Sequence, residues 1–306
     1  MTCMTVRCPI TVVILTHNEE IHIERCLASL LPVVEAVCII DSGSSDKTVE
    51  RAQKMGAVVL QHPWKNYADQ FQWGLNNAPI DTEWVMRMDA DEYLEPALQQ
   101  EIQMRLPNIC ANVSGIYLKR KVMFMGRWIR YGGFYPHILL RIWRVGTGRI
   151  EQRWMDEHII LDEGETIQFD QDLVDDNLKG ISFWVDKHNG YASREMVDLL
   201  NRSYDLLPKD DAIKTQDDPQ ARWKRLMKDE VYSRIPPGLR ATLYFIYRYF
   251  FRLGFLDGRQ GFIFHFMQGF WYRLLVDVKV MEVLDKSDGD IEKMRNIIRS
   301  EYNLKL

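Results

Sequence analysis

The sequence predicts an α/β fold: a Rossmann-like mixed sheet flanked by helices, followed by a helical C-terminal appendage. Three observations carry this expectation. Ile10-Thr11-Val12-Val13-Ile14-Leu15 is a continuous, largely β-branched run, as a strand covered on both faces requires. The next segment, Ile21 to Leu31, has helical apolar spacing and returns to a second apolar run, Ala36-Val37-Cys38-Ile39-Ile40, so the opening of the chain has the rhythm of a βαβ unit. A later strand, Glu83 to Met88, runs straight into Asp89-Ala90-Asp91-Glu92. Two carboxylates two residues apart then stand at the carboxyl edge of the sheet, where open α/β sheets bind ligands.

The first strand ends in Thr16-His17-Asn18-Glu19-Glu20. The second runs into Asp41-Ser42-Gly43-Ser44-Ser45-Asp46, where Asp46 can cap the helix that begins Lys47-Thr48-Val49-Glu50. This second loop reads either as a plain βα turn with its cap or as a nucleotide pocket in which Asp41 accepts a hydrogen bond from a base or ribose. A third strand, Ala57 to Gln61, completes the pattern. No G-x-G-x-x-G and no G-x-x-x-x-G-K-[ST] follows any strand, which excludes the dinucleotide fingerprint and the phosphate loop of ATPases. At Asp89 and Asp91 the hard oxygen ligands suit Mg2+ or Mn2+. Such ions keep several waters and bridge to phosphate oxygens, so a nucleotide diphosphate is the implied partner.

Three stretches, Val13 to Glu20, Ile40 to Thr48 and Trp84 to Glu92, together resemble the family 2 glycosyltransferases of the GT-A fold. The likeness is strongest to the bacterial branch that adds sugars to lipopolysaccharide core or other surface polysaccharides, and it extends from about Pro9 to about Ala192. The resemblance implies transfer of a sugar from a nucleotide-sugar, taken to be linked to uridine diphosphate, with inversion at the anomeric carbon. It implies donor contacts from Thr16, Asn18 and Glu19, contact of Asp41 with the base, of Asp89 with the ribose or the metal, and of Asp91 with the metal.

Inversion in one displacement needs a carboxylate to take the acceptor's proton. The place that matches the family's base motif reads Arg153-Trp154-Met155-Asp156-Glu157-His158-Ile159, with Asp156 where relatives of this branch carry His before Glu. Glu157 is the first choice by position and Asp156 the second. Burial beside Trp154 and Ile159 would raise a carboxylate's proton affinity and suit it to this work. Upstream, Arg141 and Arg144 are three apart on an expected strand, so at most one points into the site; Arg141 is chosen. Downstream, Lys187 and His188 resemble the family's cationic segment near the leaving diphosphate, where a positive charge stabilises the charge that develops. A departure lies at Ala68 to Trp73, where the arginine that relatives often carry within Gln-Arg-Asn is missing.

A chain of 306 residues accommodates one catalytic domain, expected over 1–204, a linker or lid over 205–235, and a C-terminal amphipathic helical region over 236–306. The net charge of −4 argues against nucleic-acid binding. The five cysteines show no C-x-x-C pair, and Cys26 and Cys38 fall in apolar helix and strand contexts, as reduced core residues do. The first apolar run is only a strand long, so export is not expected and a cytoplasmic enzyme is. Between Arg222 and Arg259 nine Lys or Arg face three Asp or Glu, interleaved with Tyr, Phe and Trp. Basic and aromatic residues so mixed are the pattern of an element lying on an anionic membrane surface. The leading expectation is therefore an inverting transferase acting on a lipid-linked glycan at the inner face of the cell membrane. A polyprenyl-phosphate glycosyl synthase, which needs no strong base, is the alternative among enzymes, and a non-catalytic nucleotide-binding assembly protein is the alternative outside them.

Overall fold

The structure, a computed structural model, describes residues 7–151, 158–206, 236 and 238–304. Asp156, Glu157 and nearly all of the expected linker over 205–235 lie outside the described residues. The chain divides into two compact units, Met1–Lys179 and Gly180–Leu306.

The first unit is built on one large mixed sheet in the order β3-β2-β1-β4-β8-β6-β11-β5. Strands β1 (Cys8–Thr16), β2 (Val34–Asp41), β3 (Val58–Gln61) and β4 (Trp84–Asp89) are parallel neighbours, as their apolar runs predict. Beyond β4 the sheet changes sense: β8 (His137–Arg144) runs antiparallel to both β4 and β6 (Val113–Phe124), and β11 (Glu165–Asp175) is parallel to β6. The last strand in the order, β5 (Glu92–Leu94), is separated from the end of β4 by only two residues. A two-residue link between the middle and the end of the order requires the sheet to curl, and Ala90-Asp91 is that link.

Alternation along β1 feeds two cores. Ile10, Val12 and Ile14 pack with Ile23 and Leu27 of α1 (Ile23–Leu30) and with Leu98 and Ile102 of α4 (Pro96–Arg105). Val13 faces the other way, toward Phe71 of α3 (Tyr67–Asn77), Val85 and Trp143. Both faces are therefore buried, which is what a period of two over a wholly apolar run implies. In α1 the buried residues Ile23, Cys26, Leu27 and Leu30 follow the i, i+3, i+4, i+7 spacing of a single stripe. Cys8, Cys26 and Cys38 are buried free thiols.

The second unit is helical in its described residues. Helix α5 (Ile181–Tyr204) buries Met196, Val197 and Leu200 against Val283 of α8 (Tyr272–Ser287) and Met294 and Ile298 of α9 (Ile291–Glu301). That apolar stripe ties residues 181–204 to the C-terminal helices, so the division falls at Lys179 rather than at residue 204. Between them, α6 (Leu239–Ile246) continues into a wide π-helical turn, Tyr247–Phe251, and α7 (Gly258–Phe264) into another, His265–Trp271. Among the described residues no helix is long and apolar enough to cross a membrane.

Candidate active site

Strand register explains how three separated motifs meet. Thr16 lies beside Asp41 in the β1–β2 pair and Leu15 beside Asp89 in the β1–β4 pair, so both loops and the D-x-D turn leave the same edge. The two loops are laced together. Asn18, in the left-handed backbone region that Asn tolerates, accepts from the Ser45 amide at 2.8 Å, and its own amide donates to Ser44 Oγ at 2.8 Å. The Glu19 amide donates to Thr48 Oγ1 at 2.7 Å. Asp46 accepts from the Thr48 amide at the start of α2 (Thr48–Lys54) and from the Glu20 amide, so it ties the two loops together, while the N-cap position expected of it falls on Lys47, which makes no side-chain cap.

Asp41 is buried, and its carboxylate faces its own loop: it accepts from Thr16 Oγ1 at 2.8 Å and from the amides of Gly43 and Ser44 at 3.0 and 2.8 Å. Burial opposes its ionisation, but the donors from Ser44 and Thr16 hold its pKa below the usual range. The expectation of a direct contact with a base thus meets a carboxylate already engaged; its evident work is to shape the loop.

The D-x-D turn shows a clear division of labour. Asp89 accepts from the Tyr67 hydroxyl at 2.9 Å, Tyr67 in turn accepts from Arg87 Nε at 2.9 Å, and Arg141 Nη2 lies 3.8 Å from the second Asp89 oxygen. Burial works against its charge, yet the guanidinium groups of Arg141 and Arg87 hold Asp89 down to about 2. Arg141 is itself buried and donates to Glu92, which also accepts from the Asp89 amide at 2.9 Å. Burial pushes the Glu92 carboxyl up in spite of Arg141, with the Asp89 charge adding to the push. Arg144, as the spacing requires, points elsewhere and lies over the Trp84 ring. Arg141 therefore sits under the D-x-D strand, between two carboxylates, rather than extending as a free cation toward an acceptor.

Asp91 has different company. The segment after β11 closes on it: Asn177 Nδ2 donates to Asp91 Oδ2 at 2.8 Å, and Arg25 bridges the Asp91 carbonyl and the Asp176 carboxylate. The same segment reaches the first loop, with Lys179 Nζ 2.7 Å from Glu19 and the Leu178 amide donating to His22 Nε2 at 2.8 Å. Burial notwithstanding, His22 and Lys179 keep Glu19 below the usual carboxylate range.

Lys187 and His188 lie on α5 in the second unit. His188 stacks on Trp184 with ring centroids 3.5 Å apart and meets Tyr191 and Tyr272 edge-on. Burial lowers its pKa to about 4, which favours the neutral ring over the cation expected there. Lys187 Nζ lies 5.9 Å over the Tyr191 ring.

Sequence reasoning missed Tyr67, Arg87, Glu92, Asn177 and Lys179. Tyr67 opens α3, the helix whose missing arginine was noted, and Arg87 lies over both its ring and that of Phe71. A lone Arg inside an apolar strand was the available signal for this group. Nothing in the sequence marked residues 177–179, whose role depends on where β11 ends.

The model of glycosyl transferase family 2 matches residues 11–174, more than half of the chain. The chain belongs to that family. Its sheet, with the D-x-D turn at the edge shared by β1, β2 and β4, is the GT-A architecture. Among curated proteins, it is similar to the lipopolysaccharide core biosynthesis glycosyltransferase LpsC of Rhizobium meliloti, 30% identical over 169 residues, which is 53% of this chain and 60% of that protein. It is also similar to an uncharacterized glycosyltransferase of Rickettsia bellii, 38% identical over 94 residues, 31% of each chain. Less than two thirds of the length of either relative is spanned. Among solved structures, glucosyl-3-phosphoglycerate synthase from Mycobacterium tuberculosis, in complex with Mn2+, UDP and glucosyl-3-phosphoglycerate, is 24% identical over 38% of this chain and 44% of that one, with a TM-score of 0.31.

Proposed function

We propose that this chain is an inverting glycosyltransferase that moves a sugar from a uridine diphosphate sugar to a hydroxyl of a lipid-linked glycan. Lipopolysaccharide or another surface polysaccharide would be the product, made at the cytoplasmic face of the membrane. The observation that carries the reading is the register that delivers the two laced loops and the D-x-D turn to one sheet edge. The acceptor class rests on the similarity to LpsC.

The residues present fit an oxygen-ligated divalent ion such as Mg2+ or Mn2+. Asp91 is partly exposed on the turn with one oxygen oriented by Asn177, whereas Asp89 is held by Tyr67 beside Arg141 and is the better ribose partner. Among the described residues no three ligating side chains gather, which suits an ion that completes its shell with phosphate oxygens and water. Bound there, the ion would neutralise charge on the departing diphosphate. The protein's own part is to orient the donor against the laced loops. Near it, Lys179 brings a cation to Glu19 that sequence reasoning had sought at Lys187 and His188. The proton of the acceptor hydroxyl would pass to Glu157, with Asp156 the second choice.

Calorimetric titration with uridine diphosphate, with Mn2+ or with EDTA, tests the donor site. Wild type should bind more weakly in EDTA, and Asp91→Asn should bind with one weak affinity in both. Equal affinity across all four titrations would remove the metal from the reading.

A further inference from the structure

The second unit contains an antiparallel helical hairpin whose tip inverts the usual placement of polar and apolar groups. Its arms are held by the Arg240–Asp277 ion pair at the base and by Phe245–Phe266 and Tyr249–Phe262 contacts at 5.9 and 5.6 Å further up. Inside lie Arg248, which donates to Gln268, together with His265 and Asp257, whose nearest side-chain atoms are 3.8 Å apart. Burial, with Arg248 close by, lowers His265 to about 4, so it is neutral there. Outside lie Phe250, Phe251, Leu253, Phe255, Leu256 and Phe262, with Phe251 75% exposed.

These side chains cannot fold away, because the turn beneath them is tightly made. Leu253 is in the left-handed region, φ 61°, which is costly for a residue with a branched side chain. A Cβ on Gly254 would stand 2.6 Å from the His265 ring, and one on Gly261 would stand 2.3 Å from Asp257 Cβ. The backbones therefore approach as only glycine allows. A contiguous apolar surface on a fixed turn marks an interaction site rather than an incidental exposure.

Charge identifies the partner. From Leu239 to Trp271 the only acidic residue is Asp257, 2% exposed, while Arg252 and Arg259 are exposed among the aromatics. An apolar surface with cations and no exposed anion is complementary to a bilayer of anionic lipid, the phenyl rings entering the acyl boundary and the guanidinium groups meeting the phosphates. The first arm, eight residues of α6 and five of the π-helical turn, is ~20 Å long. The hydrocarbon core is ~30 Å thick, so the tip enters one leaflet and does not cross.

We propose that this hairpin tip is a monotopic membrane anchor that inserts into the anionic leaflet. The proposal deepens the membrane part of the function proposed above and is independent of the donor site. Its cationic contacts are Arg252 and Arg259, since Arg248 is buried.

The test is co-sedimentation of the full chain with vesicles of phosphatidylglycerol or of phosphatidylcholine alone, with thermal unfolding and sedimentation velocity on each variant. Wild type should sediment with the anionic vesicles. The double variant Phe250→Ser, Phe251→Ser should lose this binding while unfolding at the wild-type temperature. Arg252→Glu, Arg259→Glu should lose the preference for anionic lipid, at least about fivefold for each arginine. If wild type and the phenylalanine variant sediment equally, the tip is not the anchor although the membrane reading stands. If wild type sediments with neither vesicle, both fall, while uridine diphosphate binding remains to be judged separately. If wild type self-associates without lipid and the phenylalanine variant is monomeric, the surface joins two copies of the chain and the anchor is overturned.

Discussion

The donor edge of the first unit and the hairpin of the second unit use the same residue types in opposite ways. At the donor edge, carboxylates and guanidinium groups are gathered into hydrogen-bonded groups at the end of an apolar sheet, and the aromatic rings of Tyr67 and Phe71 lie under Arg87. In the hairpin, Arg248, His265 and Asp257 are inside and the rings of Phe250, Phe251 and Phe255 are outside. A buried polar group is costly unless its partners are in place, so each arrangement implies a reason for keeping it. At the sheet edge the reason, on the function proposed above, is a charged ligand that needs fixed, preorganised groups. At the hairpin the reason, on the anchor proposed above, is surroundings less polar than water. Composition alone cannot separate these two cases, since both regions are rich in Arg and aromatic residues. The separation depends on which atoms face inward.

The strongest way to break the first half of this comparison is at the base. Glu157→Gln keeps shape and donor affinity and should lower transfer at saturating donor about 10²–10⁴-fold, with Asp156→Asn costing less. Near-wild-type turnover in Glu157→Gln with collapse in Asp156→Asn would move the base one residue back. Near-wild-type turnover in both would favour a phosphate acceptor, which arrives ionised, and would turn the reading toward a polyprenyl-phosphate glycosyl synthase.

Next in size is the buried group under the D-x-D turn. Arg141→Ala would leave Glu92 and Asp89 without their shared guanidinium, and breaking a buried pair from one side costs about 3–5 kcal/mol. Denaturant unfolding of this variant should show that loss, whereas Arg149→Ala, whose pair with Asp162 is exposed on both sides, should show little. Equal losses in the two would mean that the arrangement of Arg141 is not the special one.

This contrast shows why the strands were legible and the site only partly so. The runs Ile10–Leu15, Ala36–Ile40 and Glu83–Met88 each announce a strand because burial on both faces demands apolar residues throughout, and strand ends then place Thr16, Asp41, Asp89 and Asp91 on one edge. That at most one of Arg141 and Arg144 points into the site followed from strand alternation. What pairs with Arg141 did not, because Glu92 reaches it through the curl of the sheet, which leaves no periodic trace. Asn177 and Lys179 were missed for the same reason: their loop meets the donor edge only because β11 is inserted between β6 and β5. For His188, a motif match says nothing of the tryptophan one turn earlier on which its ring stacks.

A smaller effect sharpens the electrostatic side of the comparison. The folded pKa of Asp89, about 2, lies below its ordinary 3.8, and Asp41, Asp46 and Glu19 are shifted in the same direction. A group whose folded pKa is depressed stabilises the fold when ionised, so its contribution is present above the unfolded value and is lost as pH falls toward the folded one. The share from these carboxylates should therefore hold from neutral pH to about pH 5 and fall as the pH drops below about 4, on top of a decline that the depressed His188 and His265 begin near pH 6.5. Asp89→Asn should have a shallower acid limb. A parallel limb in the variant would show that Asp89 does not titrate as its neighbours imply.

The smallest expected effect is at the far end of the second unit, where Lys286 lies 2.9 Å from Glu282 and 2.5 Å from Glu301 on an exposed helical face. These two pairs raise the Lys286 pKa, through Glu301 first and Glu282 second, which on its own suggests a strong interaction. The exposure argues otherwise: water and salt screen the pairs, and holding a long side chain in one rotamer offsets much of what attraction remains. Lys286→Ala should thus leave the unfolding midpoint unmoved, in low salt and in high salt alike, in contrast to Arg141→Ala. A clear loss in Lys286→Ala that disappears in 1 M salt would show that short contacts at this surface contribute to stability, and would weaken the use of burial to rank the ion pairs of both units.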